Sequence, residues 1–386
     1  MRKGVWAVLV GAWLCGACGE GDGSGEGAVP VDSAGPWSQE AVLSYSKQFS
    51  VGTPQSVGLD EGGNLWLLDG ARIGVLRPGD AQPTWTSGVG QAAKGFRSSV
   101  VCGGSSGRAY VGYLAADLAQ PRRDDLNDPV FLEGDLDAVR LQPDGHVALE
   151  QHLNIRNTND PHYDEDRSVL TCVRVTRGPF RGELYLGTNH GVTRVRGLEY
   201  NAHRHPVFKS ASGSLRIGYM YAVGLAQDGD VLVGNEWKIG IVTPPAALAD
   251  WDDLVKVPWK LDTYVEALGS QEDMDLWRGF AQTKDGAYWL GSAQYGVWQL
   301  TPSPRAYRRL EGLPSQRIRA LAATPDGALL VGTEDRGLWR RAPDGTLARV
   351  QGVAGERVLQ LVVDDGLKPA MVLALTEQGL TVLRVK

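Results

Sequence analysis

Short apolar runs alternate with polar turns along most of the chain, and one composite pattern occurs seven times. In its clearest copy, residues 318–341, an apolar run leads through a Pro-Asp-Gly turn into a second run that ends in Val-Gly-Thr, and a polar turn leads into a third. Apolar runs bounded by Gly, Pro and Asp predict β-strands joined by hairpins. The other copies occupy residues 56–77, 99–142, 169–196, 221–243, 278–301 and 358–385.

A unit made only of strands cannot bury its apolar face alone, so the copies must pack against one another. Repeats of about 40–50 residues with this composition predict a β-propeller. We therefore expect an all-β fold, a seven-bladed β-propeller over residues 37–386, with strands A to D in each blade counted from the channel outward. Insertions in the second, third and fourth copies leave six or eight blades as alternatives.

The last copy ends after three strands, which leaves its blade without an outer strand. Residues 41–49 alternate between apolar and polar positions and precede the first copy, so they are the predicted donor. Closure by an N-terminal strand would remove the exposed edges of an open sheet.

The N-terminal segment has the features of a targeting sequence. Arg2 and Lys3 precede an apolar stretch, residues 5–14, that is too short to span a bilayer, and Cys18 follows two small residues. This segment resembles a bacterial lipoprotein signal, which implies a signal peptide over residues 1–17 and a lipidated Cys18. The alternative is a secreted protein that is cleaved after residue 17.

Residues 18–36 are rich in Gly, Ser, Asp and Glu and predict a flexible linker. The lipoprotein resemblance implies a lipid-anchored protein of the bacterial cell envelope. Gly19 after the cysteine is not an acidic retention signal, so the outer membrane is favoured over the inner membrane.

The repeat also resembles the propeller units of periplasmic two-component sensor proteins. The resemblance is carried by Gly312-Leu313 before strand A, the turn Asp326-Gly327, Val331-Gly332-Thr333 at the end of strand B and Gly337-Leu338 at the start of strand C. It implies the same fold. An accessory sensor subunit of a signalling system is therefore one alternative function.

Charge and cysteine content narrow the remaining functions. The net charge of −6 argues against nucleic acid as the main partner. Cys102 and Cys172 fall on predicted inner strands of neighbouring blades in an oxidising compartment. They form either a disulfide or two separate buried thiols, and the sequence favours the separate thiols.

Two long insertions, residues 114–135 and 154–167, belong to B-to-C and D-to-A connections, which share one face of a propeller. Loops of this kind on a rigid scaffold are typical recognition elements. The first contains Arg122 and Arg123. The second contains a cluster that could hold a divalent cation through oxygen ligands, namely Asp160, His162, Asp164 and Asp166. The alternative is a solvated acidic loop that pairs with the two arginines.

Arginines occur near the start of several A strands and are expected to surround the channel on the same face. These candidate ligand-binding residues are Arg97, Arg167, Arg278, Arg319 and Arg357. Such a ring would bind a carboxylate, sulfate or phosphate through forked hydrogen bonds. Salt bridges to acids of the B-to-C turns, such as Glu334, are the alternative. Trp237 and Tyr295 lie at further loops of this face and suit a sugar or peptide surface.

Motifs for nucleophilic catalysis and nucleotide binding are absent from the sequence, including GxSxG, the P-loop and GxGxxG. His190 and Glu236 could imitate the channel-mouth pair of the streptogramin lyases, which keeps a propeller lyase or hydrolase as an alternative. The sequence favours a non-catalytic binding module for an envelope protein or polysaccharide, and it identifies no cofactor.

Overall fold

The computed structural model describes residues 31–32, 37–43, 55–114, 134–155, 168–189, 191–204, 208–209, 215–216, 220–234, 238–251, 259–264 and 277–385. These residues form seven sheets of four or five strands, arranged as a β-propeller, and one two-stranded ribbon, almost without helix. The 3-10 helices Gly90–Lys94 and Leu248–Asp250 are short connections. No helix in the described ranges is long and apolar enough to cross a membrane.

Each sheet is one blade, and the strands are numbered in chain order. The N-terminal strands β1 (Val31–Asp32) and β2 (Trp37–Leu43) join blades 6 and 7. Blades 1 to 3 contain, from A to D, β3 (Ser56–Leu59), β4 (Leu65–Asp69), β5 (Arg72–Leu76) and β6 (Thr84–Ser87); β7 (Ser98–Gly103), β8 (Arg108–Tyr113), β9 (Leu136–Leu141) and β10 (Val147–Leu153); and β11 (Val169–Arg174), β12 (Leu184–Thr188), β13 (Gly191–Arg196) and β14 (Glu199–Arg204).

A short two-stranded ribbon follows blade 3, formed by β15 (Phe208–Lys209) and β16 (Leu215–Arg216). Blades 4 to 7 contain β17 (Ala222–Leu225), β18 (Val231–Gly234), β19 (Lys238–Val242) and β20 (Trp259–Tyr264); β21 (Trp277–Gln282), β22 (Tyr288–Ser292), β23 (Gly296–Pro302) and β24 (Arg305–Arg309); β25 (Ile318–Ala323), β26 (Leu329–Thr333), β27 (Leu338–Arg341) and β28 (Leu347–Val350); and β29 (Val358–Asp364), β30 (Met371–Thr376) and β31 (Gly379–Val385). The predicted seven blades are confirmed.

The closing strand of blade 7 is β2, which pairs antiparallel with β31. The prediction of an N-terminal donor is confirmed, but its predicted position, residues 41–49, is wrong at the start. β31 extends as far as Val385, and its last residues find their partner at Trp37. Residues 44–49 lie outside the described ranges.

The predicted linker, residues 18–36, contributes the short strand β1. Val31 and Asp32 pair in parallel with Arg349 and Val350, so β1 is a fifth strand at the outer edge of blade 6. This part of the linker is therefore bound to the propeller, which composition alone did not predict.

The recurring Gly-Thr at the end of strand B has a local structural cause. The hydroxyl of Thr333 accepts the N–H of Arg336 at 2.9 Å and donates to the carbonyl of Gly337 at 2.8 Å. Thr188 and Thr376 cap their own B-to-C turns in the same way. Because a threonine hydroxyl can satisfy both backbone groups, the motif stabilises a tight B-to-C turn.

Tryptophans and glycines lock the blades together. Trp66 and Trp289 are buried, and their indole N–H groups donate to Asp60 and Thr283, so each also secures an A-to-B turn. A Cβ atom on Gly103 would lie 1.8 Å from the carbonyl oxygen of Leu59. The inner strands of blades 1 and 2 therefore approach too closely for any other residue at this position.

Candidate binding site at the channel mouth

The two faces of the propeller are distinct. We call the face of the D-to-A and B-to-C connections the mouth and the face of the A-to-B and C-to-D turns the floor. The described residues that flank both insertions, Leu114 with Gly134 and Ile155 with Ser168, belong to connections on the mouth face.

Five inner strands carry a β-bulge at their second residue, on the mouth side. In blade 6, for example, Ile318 pairs with Thr333 and Ala320 with the preceding Gly332, which leaves Arg319 between them without a partner in the ladder. A bulge re-aims the side chain of its extra residue. The bulged residues all line the channel, and they are Ser99, Leu170, Arg278, Arg319 and Leu359.

Gln55 and Tyr221, which directly precede β3 and β17, line the channel at the same level in blades 1 and 4. One residue from every blade therefore surrounds the entrance. We call this set the mouth ring: Gln55, Ser99, Leu170, Tyr221, Arg278, Arg319 and Leu359. Its aromatic and cationic members lie together in blades 4 to 6, so the ring is electrostatically asymmetric.

Arg278 lies over the ring of Tyr221, with its guanidinium carbon 4.3 Å from the ring centroid. This cation–π contact joins blades 4 and 5 and holds the guanidinium at the entrance. A stacked guanidinium keeps its N–H groups in the plane of the fork, which is the geometry that suits a carboxylate or phosphate.

Arg319 belongs to a cluster around one carboxylate. Its Nε lies 3.2 Å from Oε2 of Glu334, while Nε of Arg357 lies 2.9 Å from Oε1 and Nη2 of Arg317 lies 3.9 Å from Oε1. The salt bridges anticipated as the structural alternative are therefore present. Three guanidinium groups share this carboxylate, and a second carboxylate lies beside them, because Oε2 of Glu377 accepts the N–H of Arg357 at 3.0 Å.

The other predicted residues of this face lie outside the ring. Arg97 is exposed, and its carbonyl accepts the N–H of Leu114 at 2.9 Å. Tyr295 is built into the B-to-C turn of blade 5, where its N–H donates to Ser292 and its carbonyl accepts the indole N–H of Trp298, each at 2.9 Å.

Several predicted site residues fall outside the described ranges and remain predictions: Cys18, Arg122, Arg123, Asp160, His162, Asp164, Asp166, Arg167, His190, Glu236 and Trp237. Among the described residues, no group of three or more His, Cys, Asp or Glu side chains is arranged to hold a metal ion.

Below the ring the channel encloses a cavity of about 580 Å³. Its wall exposes polar and apolar atoms in about equal measure, and several of its aliphatic side chains are only half-buried: Leu170, Val173, Val223, Leu225, Leu361 and Val363. The inner strands of blades 3, 4 and 7 therefore offer apolar surface to whatever occupies the channel.

An ion-pair bridge crosses the channel at the floor. The guanidinium of Arg174 in blade 3 pairs with the carboxylate of Asp364 in blade 7, and Arg177 pairs with Asp365 at 2.8 Å. The hydroxyl of Thr176 also donates to Asp365 at 2.5 Å. Blades 3 and 7 are not neighbours, so we call these contacts the floor bridge.

The Arg174–Asp364 pair of the floor bridge is buried, whereas Arg177 is exposed. The side chain of Arg174 is 7% exposed and that of Asp364 is 2% exposed. Burial raises the pKa of Asp364, although the charge of Arg174 acts in the opposite direction. Sequence reasoning missed this pair because its members lie 190 residues apart and each occurs in an otherwise ordinary turn.

The seam between the last and first blades is joined inside the channel. The side-chain amide of Gln360 in blade 7 accepts the N–H of Val57 and donates to its carbonyl, each at 2.9 Å. The free edge of β3 is thereby satisfied by a side chain, and the ring closes at the inner strands as well as at β2.

A second buried charged cluster lies on the mouth face where both insertions begin or end. Nδ1 of His152 lies 2.8 Å from Oδ1 of Asp137, and its Nε2 lies 3.7 Å from Oδ2 of Asp135. The other oxygen of Asp137 accepts the N–H of Gln91 at 2.7 Å. Burial lowers the pKa of His152, but the hydrogen bonds and charges of the two aspartates outweigh it and raise this pKa to about 9.

Cys102 and Cys172 form a disulfide between β7 and β11, with Cα atoms 6.4 Å apart. Of the two arrangements that the sequence left open, the structure therefore has the bonded one. The disulfide links the inner strands of blades 2 and 3 beside the channel.

Comparison with known proteins identifies the architecture. No protein-family model matches the chain, and no curated protein matches it in sequence. In structure it is similar to virginiamycin B lyase from Staphylococcus aureus, with a TM-score of 0.56 and 14% identity over 90% of this chain and 99% of that chain. It is also similar to the extracellular domain of a putative hybrid two-component system from B. thetaiotaomicron, with a TM-score of 0.57 and 13% identity over 89% of this chain and 41% of that chain.

A third similar structure is YCF48 bound to D1 peptide, with a TM-score of 0.58 and 12% identity over 93% of this chain and 99% of that chain. At these identities the likeness shows the β-propeller fold. The resemblance to the propellers of sensor proteins is confirmed at that level.

Proposed function

We propose that this propeller is a non-catalytic binding module of the bacterial envelope that recognises an anionic group at its mouth ring. The observation that carries the proposal is the placement of Arg278 and Arg319. Both residues are bulge positions that line the channel, in β21 and β25, and Arg278 lies over the aromatic ring of Tyr221.

The chemistry of the site is recognition without a covalent step. Guanidinium groups bind carboxylate, sulfate and phosphate through paired, charge-assisted hydrogen bonds. Arg317 and Arg357, whose side chains are 60% and 49% exposed, add two further guanidinium groups near this entrance. The macromolecular partners that fit are an acidic envelope protein or an acidic polysaccharide.

Anchoring at Cys18 would orient this site. Strand β1 runs parallel to β28, the outer strand of blade 6, which runs from the floor side toward the mouth side. The backbone therefore enters β1 from the floor side. A membrane that holds the N-terminus through a lipid would face the floor, and the mouth ring would face away from that membrane.

Lipid attachment has its own test. The wild-type protein is expected in the membrane fraction, with a lipid-modified Cys18 as the first residue in mass spectrometry. The Cys18→Ser protein is expected to lose the modification and leave the membrane fraction. An unmodified N-terminus in the wild-type protein would contradict the anchor and leave the mouth ring unaffected.

Anion recognition is tested by thermal unfolding in sulfate, phosphate, acetate and chloride at equal ionic strength. Sulfate and phosphate are expected to raise the Tm of the wild-type protein more than that of the Arg278→Gln/Arg319→Gln variant. Arg77→Gln is the matched control because Arg77 pairs with Asp80 on the floor side, away from the ring. Equal shifts in all three proteins would contradict recognition at the ring.

A further inference from the structure

We propose that the channel below the mouth ring binds a small amphiphilic monocarboxylate, with its carboxylate at Arg278 and Arg319 and its apolar part against the channel wall. This inference rests on the proposed anion recognition at the ring. It adds a small-molecule ligand class that contact with a protein or polysaccharide surface would not require.

The first argument is the wall of the channel. Val173, Val223, Leu225, Leu361 and Val363 line a cavity and are half-buried, so protein atoms leave part of their surface uncovered. Covering aliphatic surface with an apolar ligand is favourable, because it removes that surface from water. A wholly polar ligand would gain nothing from this wall.

The second argument is the difference between the two ends. At the floor, Arg174 and Arg177 are already paired with Asp364 and Asp365 across the channel. At the entrance, Arg278 stacks on Tyr221, and Arg319 shares the carboxylate of Glu334 with two other arginines. A ligand with one anionic group therefore has one favourable orientation, with the anion at the mouth and the apolar part directed toward the floor.

The third argument is size. The cavity of about 580 Å³ lies within the range of sites for small organic ligands, which is roughly 300–1,000 Å³. Such sites are mostly apolar, with a few polar groups that set the orientation of the ligand. The channel exposes polar and apolar surface in about equal parts, and its charged side chains lie at the two ends.

The experiment is calorimetric titration of the folded protein with acetate, butyrate, hexanoate and octanoate, and with octylammonium as the matched cation. Affinity for the carboxylates is expected to rise about two- to fourfold for each added methylene. Octylammonium is expected to bind at least tenfold more weakly than octanoate.

Two double variants test the contacts of the ligand's carboxylate and those of its apolar part separately. Arg278→Gln/Arg319→Gln is expected to weaken every carboxylate by a similar factor, about tenfold or more. Val223→Thr/Val363→Thr keeps the shape of the wall and is expected to flatten the dependence on chain length. Arg77→Gln is expected to match the wild type, and circular dichroism confirms that each variant is folded.

The outcomes distinguish this inference from the proposed function. Equal affinity for acetate and octanoate, lost in the arginine variant, would overturn the channel site and leave anion recognition standing. Equal binding of octanoate and octylammonium would overturn the assignment of a carboxylate. Octanoate binding that is unchanged in the arginine variant would contradict both proposals. Absence of binding by any carboxylate would overturn the channel site, while the sulfate and phosphate shifts would decide the proposed function separately.

Discussion

The floor and the mouth of the channel use the same residue types in different roles. At the floor, Arg174 and Asp364 are 7% and 2% exposed and pair across the channel. At the mouth, Arg317 and Arg357 are 60% and 49% exposed and share a single carboxylate, Glu334. Arg174 and Asp364 are therefore buried partners with a structural role, whereas Arg317 and Arg357 remain exposed at the face where we propose that an anion binds.

Removal of one floor charge is expected to have the largest effect on stability and therefore tests this comparison most directly. Asp364→Ala leaves the buried guanidinium of Arg174 with the Leu59 carbonyl at 3.2 Å and the more distant Glu61 at 4.0 Å, and the free energy of unfolding is expected to fall by about 2–4 kcal/mol. Urea denaturation measures this change in the free energy of unfolding. Arg174→Met/Asp364→Leu removes both charges and is expected to recover most of the loss. A double variant as unstable as the single one would show that packing, rather than the unpaired charge, is responsible.

Removal of the disulfide tests whether the stability of blade 3 depends on covalent linkage as well as on the floor bridge. The bond closes a loop with a sequence separation of 70 residues between Cys102 and Cys172. Cys102→Ala/Cys172→Ala is expected to lower the free energy of unfolding by about 2–4 kcal/mol. Octanoate affinity should be retained below the midpoint of unfolding. A large loss of affinity without a loss of stability would make the disulfide part of the binding site.

The cluster of His152, Asp135 and Asp137 sharpens the comparison because it is buried although it lies on the mouth face. The pKa of His152 in the folded state, about 9, exceeds the ordinary value of 6.5. The stabilising effect of its charged imidazole is therefore complete below pH 6.5 and is lost as the pH rises to about 9. The loss is expected to be about 2–3 kcal/mol. Urea denaturation between pH 6 and pH 9.5 measures it, and His152→Gln should abolish this part of the pH dependence. An unchanged pH profile in that variant would contradict the assignment.

The smallest effect on stability is expected at the mouth. Glu334→Gln removes the carboxylate that three arginines share, and because the pairs are exposed the free energy of unfolding should change by less than about 1 kcal/mol. Affinity for octanoate and sulfate should increase, since a competing internal anion is removed. A stability loss comparable to that of Asp364→Ala would erase the distinction between the two ends.

The fold could be predicted from local sequence because its determinants are local. Asp326-Gly327 and Thr333 set turns through hydrogen bonds to residues within four positions, and such signals recur in each blade. The sequence places the closing strand at residues 41–49 instead, because alternation of apolar and polar residues does not define the register of strand pairing. Its true position follows from the length of β31, which is a partner more than 300 residues away.

The candidate site could be predicted only in part. The position of Arg278 and Arg319 near the start of A strands indicated the channel entrance, but Arg97 comes two residues before the bulge residue Ser99 of its strand and lies outside the ring. The bulges decide which residue faces the channel, and they are visible only in the pairing of β-strands. The pair of Arg174 and Asp364 was missed because its two turns meet only when the propeller closes.

The mouth ring has a consequence for engineering. Each of its members comes from a different sheet, and the bulged ones take no part in the ladder of their own strand. Exchange of Leu170 or Leu359 would therefore leave the strand pairing of every blade intact, whereas exchange of Ser99 would also remove the hydrogen bond from its hydroxyl to the carbonyl of Val169. A combinatorial library at Leu170 and Leu359 would vary the surface of the entrance one blade at a time and preserve the scaffold.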